Sequence, residues 1–181
     1  MPNWCENKLE IQGDFEKLKE FCSKHIRFNK ESNNDDFSFE TVVPTPDNFD
    51  DPKFDWYSWC CDNWGTKWDA AEASVSELHR CSSGYSELSI YFDTAWSPPI
   101  PIVDKLVSDY PDLYFKLSFY EPGMFFAGYA GSDGLYDCLE DEIRQFTIDE
   151  GFRSQEDWDE LDAEQAEYEA EMESQDNEDN N

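Results

Sequence analysis

The chain has 181 residues, with 43 Asp and Glu against 13 Lys and Arg, and a formal net charge of -30. That imbalance excludes a protein that grips nucleic acid by its phosphates, because such contacts are built on Lys and Arg. Hydrophobic residues make up 39% of the chain and aromatics 17%, enough to build a core, so disorder throughout is excluded as well.

Leu9 and Ile11 alternate with Lys8, Glu10 and Gln12, the period of a strand. Gly13 ends that strand, and Asp14 is an N-cap for a helix with Phe15, Leu18, Cys22 and Ile26 at helical spacing. Asn29 to Asp36 is polar and reads as a loop. Phe37 to Val43 reads as a second extended run, stopped by Pro44-Thr45-Pro46. The aromatic and acidic stretch Asp47 to Asp62 reads as a short helical insertion. Trp68 to Glu77 and Tyr85 to Asp93 read as two arms of a hairpin around Cys81-Ser82-Ser83-Gly84, with Leu88, Ile90 and Phe92 on one face. Ser97-Pro98-Pro99 opens a second helix, with the stripe Ile102, Val103, Leu106, Val107 and Tyr110. Leu113, Phe115, Leu117 and Phe119 alternate as a strand. Met124 to Ala130 reads as a further short strand, Gly131 to Gly134 as a turn, and Tyr136 to Phe146 as a helix with Leu139 and Ile143 inward.

This order predicts an α+β fold: a ferredoxin-like (split βαβ) sandwich, one antiparallel sheet with helices on one face. Residues 1–152 form that domain, and 153–181 form an acidic tail, helical or disordered. Thirteen acids and no base lie between Glu156 and Asp179, leaving 30 acids and 13 bases for residues 1–153. Within the tail Trp158, Leu161, Gln165, Tyr168 and Met172 recur at steps of three and four, the thin apolar seam of an amphipathic helix. The seam suits docking on the body or on a partner. Asn177 to Asn181 is expected to fray.

Met1-Pro2-Asn3-Trp4 has no basic segment followed by an apolar run, and no stretch approaches the roughly 18 apolar residues of a membrane helix. A cytoplasmic protein is expected. Cys5, Cys22, Cys60, Cys61, Cys81 and Cys138 lack metal-ligand spacing and read as small apolar residues, so no metal or other cofactor is expected. His25 and His79 stand in no motif that positions a Ser or Cys, and there is no Gly loop for phosphate. No catalytic residue is assigned, and the chain is expected not to be an enzyme.

Four segments mix Trp or Phe with Asn, Asp, Thr or Glu at strand ends. They are Pro2 to Asn7, Asn63 to Asp69, Phe92 to Pro99 and Tyr120 to Gly128. If they converge, Trp4, Asn7, Asn63, Trp64, Lys67, Asp93, Trp96 and Glu121 would line a small-molecule pocket. Otherwise they are hydrogen-bonded corners that tie loops to the core. Strand parity puts Asn7 on the apolar side with Leu9, so it needs partners. It puts Glu121 on the face of Phe115, Leu117 and Phe119, as a buried acid or as an anchor for loop N–H groups. Lys67 is expected to pair with an acid. The opposite sheet face carries Tyr91, Tyr114 and Tyr120 with Lys116 and Ser118, and on so acidic a body it suits a protein partner better than RNA.

These four segments resemble the YubB-type ferredoxin-like domain family of bacteriophages and conjugative plasmids. The resemblance runs from Met1 to about Gly134. It is most specific in Pro2-Asn3-Trp4-Cys5-Glu6-Asn7 and Asn63-Trp64-Gly65-Thr66-Lys67. It implies the ferredoxin-like fold, a mobile-element origin and a bacterial host cytoplasm; it implies no reaction. Two functions compete. The first is an accessory protein that binds and inhibits a basic, nucleic-acid-binding host protein, such as a defence nuclease, a CRISPR effector or a polymerase. It would act by nucleic-acid mimicry through Glu156, Asp157, Asp159, Glu160, Glu164, Glu167 and Glu171. The second is a small-molecule or nucleotide-binding domain, with or without a catalysed reaction, using the Asn/Trp/Asp/Glu loops.

Overall fold

A computed structural model of the chain describes residues 3–29, 34–81 and 85–179. In chain order they form β1 (Trp4–Gly13), α1 (Phe15–His25), β2 (Ile26–Asn29), β3 (Asn34–Phe37), α2 (Trp56–Trp64), β4 (Ala71–Val75), β5 (His79–Arg80) and β6 (Ser86–Ala95). There follow α3 (Ile100–Asp109), β7 (Tyr114–Glu121), β8 (Phe126–Gly131), β9 (Gly134–Asp137), α4 (Ile143–Glu150) and α5 (Gln155–Asp179).

The main sheet runs β4-β6-β1-β7-β8-β9, every neighbour antiparallel, with β5 also on β6. Its first four strands with α1 and α3 are the split βαβ plan: each helix connects two strands that flank a third. Alternation decides which side is buried. Cys5, Asn7, Leu9 and Ile11 of β1 face the helices, as do Leu88, Ile90 and Phe92 of β6 and Phe115, Leu117 and Phe119 of β7. Against them α1 sets Leu18, Phe21 and His25, and α3 sets Ile102, Val103 and Leu106. Asp14 caps α1 as expected, its Oδ1 accepting from Glu16 N at 3.0 Å and Lys17 N at 3.3 Å. Phe39, Phe92 and Trp64 pack edge to face, Phe39 at 5.7 Å from Phe92 and 6.0 Å from Trp64.

Several expected elements differ. The stretch expected as a loop holds β3 within Asn34 to Asp36, paired with β2 in a separate two-stranded sheet; residues 30–33 lie outside the described residues. The run expected to extend from Phe37 to Val43 instead turns into a 3-10 segment at Phe39–Thr41, with Ser38 as its cap. The helix expected from Tyr136 starts only at Ile143, because Gly134–Asp137 is taken into the sheet as β9 and Tyr136 stacks on Tyr129 at 5.4 Å. Leu139 is consequently exposed, while Ile143 is buried as expected. The turn at Ser82-Ser83-Gly84 lies outside the described residues, as do Asn180 and Asn181; the backbone of α5 is helical to Asp179.

A second, smaller core lies on the opposite sheet face. Tyr120 and Ala127 from the sheet, Ile143 of α4 and Trp158 of α5 are buried together, with Phe125, Phe146 and Phe152 packed around them. The packed body therefore continues past residue 152 into the first turns of α5. Gly151, at φ +82, makes the reversal between α4 and α5 in a conformation that glycine takes without strain. Among the described residues no helix is long and apolar enough to cross a membrane.

Candidate functional site

Trp4, Glu6, Lys8 and Glu10 of β1 alternate with its buried residues and so lie on the face away from α1 and α3. Their cross-strand partners share that face. Glu6 stands opposite Asp93 on one side and Tyr120 on the other; Lys8 stands opposite Tyr91 and Ser118. At the β7 end this face is covered. Glu150, the last residue of α4, takes Lys116, accepts from Ser118 Oγ at 2.9 Å and lies 3.8 Å from Lys8 Nζ. Arg153 donates both guanidinium arms to Glu6, at 2.6 and 2.9 Å, and lies 5.2 Å over the Tyr120 ring. Trp158 donates to Thr147 Oγ1 at 3.0 Å and meets Tyr120 and Phe125.

At the β4 end the same face is uncovered. A groove of about 820 Å³ runs over β4, β6 and β1, bordered by Trp4, Glu6, Glu72, Tyr91 and Asp93, with Phe152 on the far wall. Glu72 is at φ +50, where the β4–β6 register shifts between Ala71 and Ser74. Glu6 has Arg153, but Asp93 and Glu72 have no basic partner among the described residues. Partial burial, then the charges of Glu6 and Glu72, push the Asp93 carboxyl above its ordinary range. Lys8 shows the opposite balance: burial alone would lower it, but Glu10 and Glu150 hold it above the usual lysine value.

Of the eight residues expected around a pocket, Trp4, Asn7, Asp93 and Glu121 border this groove, and Asn63, Trp64, Lys67 and Trp96 do not. Two of the bordering four already have their partners. Asn7, on the apolar side as parity required, donates to Cys5 O at 2.7 Å and Thr94 Oγ1 at 2.9 Å. Glu121 is fully buried and accepts from the N–H groups of Gly123 at 2.9 Å and Met124 at 2.6 Å, the loop-anchor arrangement. The other four sit at corners. Asn63 donates to Trp59 O, Trp64 to Val43 O, and the neighbouring Thr66 to Ala95 O. Trp96, at φ +74, is held by its N–H to Asn3 O at 3.0 Å. Lys67 makes no salt bridge with a described acid. It lies 4.4 Å over the Trp68 ring and 6.0 Å over the Trp56 ring, placed to interact with their π faces.

The open-face tyrosines divide in the same way: Tyr91 is exposed, Tyr114 is partly covered, and Tyr120 is buried under Phe152 and Trp158. In α5 the acids Glu156, Asp157, Asp159, Glu160, Glu164 and Glu167 are exposed; the Glu171 side chain lies outside the described residues. Of the seam, Trp158 is buried, whereas Leu161, Tyr168 and Met172 are 46, 63 and 45% exposed. Glu150 and Arg153, which close one half of the sheet face, went unnoticed in the sequence. One signal was present nearby: Ser154 and Asp157 form a capping box, Asp157 accepting from Ser154 N and Ser154 Oγ accepting from Asp157 N.

His25 is buried between Thr41 Oγ1 at 3.1 Å and Tyr110 OH at 2.7 Å, and burial pushes it down to about 4, neutral in ordinary buffer. Burial also raises Cys5, and it raises Cys60 and Cys138 to about 11, so none of these three thiols is poised as a nucleophile. Among the described residues no group of three or more His, Cys, Asp or Glu is placed to hold a metal ion.

A family model described as the ferredoxin-like domain in Api92-like protein matches residues 63–178, from the end of α2 through nearly all of α5. The chain belongs to that family. No curated protein and no solved structure gives a significant match.

Proposed function

We propose that this member of the Api92-like ferredoxin-like family is a non-enzymatic accessory protein of a bacteriophage or conjugative plasmid, of the YubB type. It acts in the host cytoplasm by binding a basic protein that normally holds nucleic acid, such as a defence nuclease, a CRISPR effector or a polymerase. The mobile-element part of the reading is supported by the Pro-Asn-Trp-Cys-Glu-Asn run and by Asn63 to Lys67.

The observation that carries the binding reading is α5. Thirteen acids lie between Glu156 and Asp179, over roughly 36 Å at about 1.5 Å per residue. That is about one charge per 3 Å of axis, against roughly 3.4 Å for one DNA strand. The acids of its described turns point to solvent, while Trp158 and the Arg144–Asp162 ion pair hold its first turns to the body. The exposed Leu161, Tyr168 and Met172 give the helix apolar purchase alongside the charge.

The test is capture from host lysate at low salt, comparing the full chain with one that ends at Asp162 and so keeps both anchors. The full chain should retain a nucleic-acid-binding protein that salt or added DNA releases. The shortened chain should not. Equal capture by both, or capture that DNA does not compete, would sink the reading.

A further inference from the structure

We propose that the uncovered half of the sheet face is a docking groove for an arginine-bearing peptide segment of a partner protein. Asp93 and Glu72 would take the guanidinium, and the rings of Trp4 and Tyr91 would take its flat faces.

The molecule displays this recognition within itself, at Arg144, which forks onto Asp162 and lies 4.9 Å over the Trp158 ring, and again beside the groove. Arg153 is held by a carboxylate from β1, Glu6, and by a ring from β7, Tyr120, on this same face. Guanidinium suits both partners, since its planar fork matches a carboxylate and its face stacks on an aromatic ring. One strand further on, Asp93 stands directly opposite Glu6, and Tyr91 lies two residues away on the same face. Directly opposed like charges destabilise a strand pair, and Arg153 offsets only the Glu6 side. Glu72 adds a third carboxylate close enough to bear on Asp93. Five carboxylates (Glu6, Glu72, Asp93, Glu121 and Glu150) and one base, Lys8, border a groove of about 820 Å³ with exposed aromatic walls, so the balance stays negative even with Arg153 on Glu6.

Charge complementarity selects the occupant. A second copy of this chain, itself at -30, is repelled. Nucleic acid is repelled by the same carboxylates. Trp68 adds a further sign, since its ring lies 6.2 Å from Trp4 and already carries the Lys67 ammonium. This inference takes from the proposed function only that the partner is basic. It places a contact on the body that α5 does not provide.

The experiment titrates the full chain with a capped peptide of alternating Gly and Arg at low ionic strength, following tryptophan fluorescence and backbone amide shifts. The same peptide with citrulline in place of arginine is the neutral control. The arginine peptide should shift amides of β1, β4 and β6, and the citrulline peptide should bind about tenfold more weakly or worse. D93N combined with E72Q should weaken arginine-peptide binding about tenfold. Both changes relieve like-charge repulsion, so the fold is not at risk. W4A should weaken it several-fold. Glu160, Glu164 and Glu167 changed to Gln in α5 should leave the affinity within about threefold. The proposal is overturned if D93N/E72Q binds as the parent does, if citrulline binds equally, or if the shifts fall on α5. Groove binding without α5-dependent capture from lysate would defeat the proposed function alone; the reverse result would defeat this inference alone.

Discussion

The two halves of one sheet face make different use of the same kinds of residue. Over β7 and β8 every charge has a partner: Lys116 and Lys8 meet Glu150, and Arg153 meets Glu6. That half is sealed by Tyr120, Phe152 and Trp158. Over β4 and β6 the carboxylates of Asp93 and Glu72 line the groove with aromatic rings nearby; Lys8 borders it too, but among the described residues neither carboxylate makes a salt bridge. The covered half shows that these strands can recruit cations when the chain supplies them. With 13 bases for 43 acids, the chain cannot supply them everywhere, and the uncovered half is where the proposed arginine-bearing partner would supply the complementary charge.

The largest expected effect tests whether α4 and α5 truly close the covered half. Trp158→Ala removes the centre of the second core and should cost about 3–5 kcal/mol. For a chain of this size that lowers the melting temperature by roughly 6–20 °C. Leu161→Ala, one turn further and exposed, should stay within about 0.5 kcal/mol. Equal effects from the two would mean that the seam packs as a unit and the contrast is false. Next is Glu150→Ala, which takes from Lys116 its salt bridge and leaves Lys8 with Glu10 alone in a partly buried site. About 1–3 kcal/mol should be lost, measured by urea denaturation, with added salt recovering only part of it.

Much of the frame was legible because it depends on local signals. Leu9 and Ile11 alternate in β1, Phe115 to Phe119 alternate in β7, and Asp14 is a cap next to a helical stripe. Each states its element within a few residues. β3 was not legible, because Asn34-Asp35-Asp36 has no apolar alternation and exists as a strand only through its pairing with β2. β9 was hidden for a related reason: its tyrosine can sit on a helix or a strand, and the stacking on Tyr129 decides. Parity read Asn7 and Glu121 correctly. The opposition of Glu6 and Asp93 was out of reach, since it requires the register between residues 87 apart in sequence. The left-handed backbone at Glu72 left no mark in the residue types around it.

The sign of the next effect differs between the halves. Glu150 should stabilise, whereas Asp93→Asn should raise stability at neutral pH by less than about 1 kcal/mol, since it removes a like-charge opposition. The pH dependence follows from the direction of the Asp93 shift. Its carboxyl is raised in the folded state above its ordinary 3.8, so the ionised form costs stability above the folded value. That cost fades as pH falls through the folded value and is gone below about 3.8. The difference between parent and D93N should therefore shrink on acidification. A difference that grows instead would mean that Asp93 has a cation partner in solution, and the two halves would no longer differ.

The smallest effect concerns Lys67 at the rim of the uncovered half. An ammonium over an exposed tryptophan ring is worth about 0.5–1 kcal/mol, so Lys67→Ala should cost no more than that. The informative quantity is its coupling to Trp68 in a double-mutant cycle with Trp68→Leu. A coupling of about half a kilocalorie, barely reduced by salt, is expected if the ring holds the cation. A coupling near zero with strong salt sensitivity would return Lys67 to an ion pair with an acid. That distinction reaches the groove itself, because Trp68 packs against Trp4. If the chain's own lysine gains nothing from that aromatic rim, the case that the same rim receives a partner's arginine loses the support of its nearest internal example.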